Sequence, residues 1–264
     1  MNFLKRNFII LLCALSVSTH LQSETIEITN MSEIHRYLKP ETLIVFDIDN
    51  TLLETAQQLG SDQWFYHQLE SYLESGMLLN CALTRVLAEW HSIQFLTKVK
   101  IVEEGTDKVI RNLQAEGFKM IGLTTRSLEV SQCTSNQLKT LKIDLTKATI
   151  SEIDQFFINS GRGVLFHEGI LFTAASHKGN AFFKFLNQIG YTPSHVVFIN
   201  DKATHIREIE EICEDLEVPF IGLRYGFLDE KVKNYQKNIA EIQYKYFNHI
   251  LTDDEALNIL HVQQ

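Results

Sequence analysis

The sequence predicts an α/β fold: an open parallel sheet flanked by helices, with a small helical insertion after its first motif-bearing strand. Three observations carry this. Short, continuously apolar runs bounded by turn residues recur along the chain, as expected of strands buried on both faces of a parallel sheet. The segments between several of them have the period of an amphipathic helix. One long stretch, 54–104, is helical in period and has no strong strand.

The elements follow in order. Residues 42–47, TLIVFD, form the first continuous apolar strand. Residues 54–104 contain SDQWFYHQLESYLESG and ALTRVLAEWHSIQFL, both of helical period. TDKVIRNLQAEG places Val109, Ile110 and Leu113 on one helix face and stops at Gly117. It leads into FKMIGLTT, 118–125. GVLFHEGILFTA, 163–174, is two apolar runs around His167-Glu168-Gly169 and reads as a β-hairpin. KGNAFFKFLNQIG, with Phe182, Phe183 and Leu186, leads into HVVFIND, 195–201. ATHIREIEEICEDLE, with Ile206, Ile209, Ile212 and Leu216, leads into PFIGLRY, 219–225.

The bulk numbers set limits. The chain has 264 residues, enough for one large domain with a smaller insertion. Its net charge of -9 argues against a surface made for a nucleic-acid backbone. The first residues have the layout of a secretory signal peptide: Lys5 and Arg6, an apolar run from Phe8 to Val17, then small and polar residues. The alternative is an uncleaved anchor. Removing 1–23 takes away two basic and no acidic residues, leaving 22 basic and 33 acidic, a net of -11. The expected division is 1–23 leader, 24–53 with 105–264 core, and 54–104 insertion. The expected location is periplasmic or secreted, with no membrane span after leader removal. Cys81, Cys133 and Cys213 have neither zinc-site nor disulfide-framework spacing and read as three buried thiols, or as one disulfide with one free thiol.

What stands at the carboxyl ends of the strands points to chemistry, because open α/β sheets bind ligands there. The first strand ends in Asp47 and Asp49, the second in Thr124, Thr125 and Arg126, the third in Asn200 and Asp201. Lys178 stands at the start of the helix leading to the third. This set suits phosphoryl transfer through an aspartyl phosphate. Asp47 would be the nucleophile. Asp47 and Asp201 would hold Mg2+, a hard ion suited to carboxylates and phosphate oxygens. Asp49 would protonate the leaving oxygen and then activate water. Thr124 and Lys178 would bind phosphoryl oxygens. Thr125, Arg126 and Asn200 are the substrate-side candidates, and the expected partner is a small phosphorylated substrate.

The residues carry a resemblance. FDIDNT is similar to the Asp-x-Asp-x-Thr signature of the haloacid dehalogenase (HAD) superfamily, and MIGLTTR, SHKGN and VVFINDKATHI resemble its second, third and fourth motifs, in the right order over roughly 42–225. EGILFTAASHKGNAFFKFL and IGLRYGFLDEKV further resemble a family of exported bacterial HAD-like proteins of unknown function. The resemblance implies a Rossmann-like core with a small helical cap. It implies a Mg2+-dependent phosphomonoester hydrolase, with the Asp49 carbonyl also on the metal. The fourth motif departs from the pattern: Asn200 and His205 stand where acids often stand.

Plainer readings run beside these. Asp47 and Asp49 are also good turn residues, Thr124 and Thr125 could cap the next helix, and Lys178 could be a solvated helix-start lysine. Arg126 and Arg224 could serve salt bridges. Trp64, Phe65, Tyr66 and Trp90 are either a substrate-facing wall or the insertion's own core. The altered fourth motif keeps open a catalytically impaired phospholigand-binding protein, and a phosphotransferase is a third reading.

Overall fold

The structure, a computed structural model, describes residues 23–247 and 250–262. Of the predicted leader only Ser23 falls within them, and it opens the first strand. The strands are β1 (Ser23–Ile28), β2 (Thr42–Phe46), β3 (Leu53–Thr55), β4 (Val99–Ile101), β5 (Lys119–Thr124), β6 (Gln155–Asn159), β7 (Arg162–His167), β8 (Ile170–Phe172), β9 (His195–Asn200) and β10 (Phe220–Tyr225). The α-helices are α1 (Asp62–Glu74), α2 (Leu79–Leu96), α3 (Thr106–Ala115), α4 (Ser131–Thr140), α5 (Lys178–Ile189), α6 (Ala203–Asp215), α7 (Asp229–Lys233), α8 (Lys237–Lys245) and α9 (Asp253–Val262).

Eight strands form one sheet in the order β1-β10-β9-β2-β5-β8-β7-β6. All neighbours from β1 to β8 are parallel; β7 and β6 are antiparallel additions. This is the predicted α/β class. β2 lies at the centre with all five residues buried. Side chains alternate across a sheet, so Leu43 and Val45 join Phe182, Phe185, Ile206 and Ile209 under α5 and α6. Ile44 and Phe46 join Ile110, Leu113 and Met120 on the opposite face. Two apolar faces leave 43–46 no polar position, and each such side chain stabilises the fold by about 1.5–3 kcal/mol.

The predicted hairpin is β7 and β8, closed by Glu168 (φ 47°) and Gly169 (φ 80°). Two left-handed residues are what a two-residue turn between right-twisted strands demands. Helices α5 and α6 approach closely at Gly179: a Cβ there would lie 2.0 Å from the Glu208 carbonyl oxygen. Only glycine admits this approach, and it fixes the helix that begins with Lys178.

The stretch 54–104, expected to hold no strong strand, is bounded by two short ones. β3 and β4 pair antiparallel, Leu53 opposite Ile101, and α1 and α2 lie between them. Strands of three residues are too short for periodicity to register. The insertion is also not self-contained. Its core residues Leu59, Trp64, Trp90 and Ile93 are completed by Ala240 and Tyr244 of α8. Buried Gln243 accepts from the Leu59 amide (2.9 Å) and donates to Leu251 O (3.2 Å) and Asp253 Oδ1 (2.8 Å). No helix among the described residues is long and apolar enough to cross a membrane. The three cysteines are free: Cys213 is buried as expected, Cys133 is half-buried, and Cys81 is exposed on α2.

His195 opens β9 with its ring 3% exposed, Nδ1 2.8 Å from Thr42 Oγ1 and Nε2 buried without a partner. Burial, with Lys39 adding to it, pushes its pKa down from 6.5 to about 4. The unfolded chain therefore takes up this proton first as pH falls. The stability at stake is intact above pH 6.5 and is lost between there and about pH 4. By pH 5 the loss should reach about 2 kcal/mol. Urea unfolding at pH 7.5 and pH 5 is expected to show this drop in the wild type and a shallower one in His195→Gln; equal drops would contradict the assignment.

Candidate active site

The strand ends of β2, β5 and β9 and the start of α5 converge, as the sheet order requires. The Asp47 amide extends the ladder by donating to Ile199 O at 2.9 Å. The chain then turns tightly: Ile48 O accepts from the amides of Leu52 (2.9 Å) and Leu53 (3.1 Å), and Asn50 takes φ 57°. Asparagine is among the few residues that occupy this left-handed region readily. The turn gives the two aspartates different partners.

Asp47 Oδ1 accepts from Lys178 Nζ at 2.7 Å. That ammonium is fully buried and also donates to Leu123 O at 3.1 Å. Glu208 accepts from the Lys178 amide at 2.5 Å and so anchors the start of α5. Asp49 pairs instead with Arg126, in a two-pronged bridge of Nε to Oδ2 (2.8 Å) and Nη2 to Oδ1 (2.7 Å). The guanidinium is 1% exposed. Nη1 donates to Thr134 Oγ1 (2.9 Å) and Gln137 Oε1 (2.8 Å), and Nη2 reaches Gln94 Oε1 on α2 (3.3 Å). The group sits 5.2 Å from the Trp90 ring centroid. Burial works against its charge, and the Asp49 carboxylate more than restores it, so its pKa is raised.

Asp201 follows β9. Its Oδ2 accepts from Asn50 Nδ2 at 3.3 Å, while its Oδ1 is buried with no partner. Burial, and then the nearby Asp47 charge, pushes its pKa up to about 7. An orphaned carboxylate oxygen beside a second carboxylate fits a cation, and Mg2+ needs only one or two carboxylates besides water and phosphate oxygens. Asp47, Asp201 and the Asp49 carbonyl are the residues that would hold it. Among the described residues no group of three or more His, Cys, Asp or Glu is placed to hold a metal, so an all-protein cage is absent there.

The other predicted residues take these places. Thr124 Oγ1 accepts from the Arg126 amide (3.1 Å), and Thr125 O accepts from the Ala175 amide (2.9 Å). Asn200 is fully buried; its Oδ1 accepts from the Lys202 amide (2.7 Å) and so shapes the turn after β9. Arg224 serves a bridge to Asp229 (2.5 and 2.7 Å). A cavity of about 500 Å3 opens beside Asp49, Thr125 and Arg126. Phe65, Tyr66, Leu87 and Trp90 line it from the insertion. Trp64 does not; it is core. Of the four aromatics, Trp64 serves the core, Tyr66 the cavity wall, and Phe65 and Trp90 both.

Sequence reasoning missed Asn50, Asp62, Lys202 and the Arg126 supports. Lys202 Nζ donates to Asp62 Oδ2 at 2.5 Å, tying the start of α6 to the insertion. Although burial works against the Asp62 charge, Lys202 keeps its pKa below the usual carboxylate value. His205, facing Lys178 and Lys202, is pushed down to about 3, mainly by burial, and is neutral near neutral pH.

Residues 27–257 match the model of a family described as a protein of unknown function, DUF2608. The chain belongs to this family. Relatives include a Chlamydia pneumoniae protein named "Putative outer membrane protein", 23% identical with 96% of each chain covered. Another is an uncharacterized Rickettsia prowazekii protein, 23% identical with 83% of each covered. Among solved structures, a haloacid dehalogenase-like family hydrolase from Streptococcus pneumoniae is 12% identical over 74% of this chain and 98% of its own, with TM-score 0.41. A hydrolase from Pseudomonas syringae is 15% identical over 83% and 98%, with TM-score 0.43. The four motif-like segments lie in chain order at the ends of β2, β5 and β9 and at the start of α5, around a mostly parallel sheet. Likeness at these scores leaves the chemistry to be read from the side chains.

Proposed function

We propose that this protein is an exported, Mg2+-dependent phosphomonoester hydrolase working through a phosphoaspartate on Asp47. The observation that carries the reading is the buried Lys178–Asp47 pair at 2.7 Å beside the unpartnered Oδ1 of Asp201. Lys178 holds one Asp47 oxygen, which leaves the other to attack phosphorus. The new bond forms from that oxygen to phosphorus as the bond to the leaving oxygen breaks. Asp49 supplies the proton to the leaving alcohol, then takes one from the water that attacks phosphorus and frees Asp47. Lys178 offsets the charge gathered on Asp47 and the phosphoryl oxygens throughout. Bound Mg2+ supplies further charge neutralisation at the phosphoryl group. Residues 54–104, with α8 behind them, act as the cap that determines which alcohols enter.

Turnover of 4-nitrophenyl phosphate with Mg2+ tests this. Asp47→Asn is expected to lower the rate by at least about 10³-fold. Equal rates in the two proteins would remove the nucleophile assignment. Mg2+ is also expected to raise the Tm of the wild type and not of Asp201→Asn. A second reading rests on Arg126, which engages both Asp49 oxygens: a protein that binds a phosphorylated ligand without turning it over. Binding of phosphate with no turnover of any monoester, and no transfer to added alcohol, selects it.

A further inference from the structure

Almost every charged group along the cavity is already matched. Asp49 is bridged to Arg126, and Asp62 to Lys202. Glu208 accepts from the Lys178 amide and lies 3.8 Å from His177. Glu129 is held below the usual carboxylate value chiefly by a hydrogen bond from Ser127, which also meets His91 of α2 at 2.9 Å. Arg162, at the start of β7, is the exception. It lines the cavity, and among the described residues its guanidinium has one hydrogen bond, Nη1 to Ala174 O at 3.0 Å, and no carboxylate partner.

That single bond fixes where the charge sits. Ala174 (φ 50°) and Ala175 (φ 56°) are consecutive left-handed residues, a conformation costly for alanine and kept only where the surroundings impose it. Their amides donate to Arg126 O (3.1 Å) and Thr125 O (2.9 Å). The carbonyl that holds Arg162 is therefore locked to the backbone after β5, the segment that carries Thr124, Thr125 and Arg126. An arginine has five N–H donors, so most of this fork and its whole charge are open to a ligand. The chain as a whole carries -9 and repels multiply charged anions at long range. Arg162 is solvent-exposed at the cavity rim, and a cation left there without a counterion acts locally against that repulsion. Guanidinium forks match carboxylate and phosphate oxygens two at a time. Phe65, Tyr66 and Leu87 offer apolar surface for the carbon skeleton between.

We infer that Arg162 determines specificity by binding a second anionic group, a carboxylate or a second phosphate, carried by the leaving alcohol of the phosphomonoester. The inference rests on the hydrolase reading for its kinetic form, but its binding form stands without turnover. The kinetic test compares wild type with Arg162→Gln on 4-nitrophenyl phosphate, glycerol 1-phosphate, 3-phosphoglycerate and 1,4-butanediol bisphosphate. The variant is expected to raise KM for 3-phosphoglycerate, the bisphosphate or both by about 10- to 100-fold. Its kcat should stay within about twofold, and glycerol 1-phosphate and the aryl phosphate should be nearly unaffected. Which of the two substrates responds tells carboxylate from phosphate. The binding test measures methylphosphonate, 3-phosphonopropionate and 1,4-butanediphosphonate by calorimetry with Mg2+, on the same two proteins. The wild type is expected to prefer at least one of the doubly anionic ligands by about tenfold or more, and Arg162→Gln to lose that preference. Unchanged preferences in the variant, or no wild-type preference for a second anion, overturn the inference. Absence of turnover alongside an Arg162-dependent binding preference overturns the hydrolase reading instead.

Discussion

Replacing Lys178 by methionine is expected to cost about 3–5 kcal/mol of folding stability and to lower turnover by about 10²- to 10³-fold. The size follows from burial. Lys178 is 0% exposed, and its ammonium offsets an Asp47 carboxylate that is itself nearly buried and acts on a second carboxylate, Asp201. Methionine fills the space and removes the charge, so Asp47 stays buried with no cation beside it, and the Leu123 carbonyl loses a donor. Removing one partner of such a pair costs more than the pair is worth, because an uncompensated charge remains. The double variant Lys178→Met/Asp47→Asn should therefore be more stable than the single one, though inactive. Chemical denaturation of the four proteins of this cycle gives the coupling directly. Additive losses would mean that Lys178 packs in the core without serving Asp47.

Much of this arrangement was legible because it is written in short-range terms. An apolar run followed by Asp-x-Asp marks a strand end whether or not its neighbours are known, and the Glu168-Gly169 turn identifies its hairpin. Lys178 could be placed at a helix start, since the apolar pattern read as Phe182, Phe183 and Leu186 begins just after it, although the structure buries Phe185 in place of Phe183. β1 and β6 were missed. β6 carries Phe156 and Ile158 exposed at a sheet edge, which breaks the expected pattern of apolar residues inward. β1 begins at Ser23, the last residue of the predicted leader, and carries two exposed acids in six residues.

The supports of the site were illegible for another reason: they are contacts between distant segments with no local signature. Gln94 looks like any polar position on α2, yet it is 1% exposed, donates to Gly60 O and meets Arg126. Gln243 looks like a surface residue of a late helix, yet it closes the insertion's core. Asn200, read as a departure that weakens the site, is occupied in shaping the turn that presents Asp201. A carboxylate in its place would sit fully buried near Asp201, which already lacks a partner for one oxygen. In this member of the family the neutral amide relieves charge where the site has most of it.

Arg126→Met is expected to be comparably damaging, by about 3–5 kcal/mol in stability, with turnover reduced about 10²-fold through the loss of Asp49 placement. The guanidinium meets Asp49 with two bonds and is itself held by Thr134, Gln137 and Gln94. Methionine strands several of these groups at once. Arg126→Lys separates charge from geometry. It keeps a cation near Asp49 but cannot supply two parallel donors while also reaching Thr134 and Gln137, so it should recover part of the stability and little of the activity. Pairing Arg126→Met with Asp49→Asn removes the unmatched charge and should recover stability without activity. These outcomes distinguish a positioning residue from a substrate clamp. A clamp would show its loss in KM, with stability nearly unchanged. A positioning residue would show it in kcat, in denaturant midpoint, and in a coupling of at least about 1 kcal/mol with Asp49. Because Gln94 brings α2 into the same network, loosening Arg126 should also loosen the insertion. Amide exchange along α2 is expected to quicken in Arg126→Met before it quickens in β2, and unchanged protection there would confine Arg126 to the loop after β5.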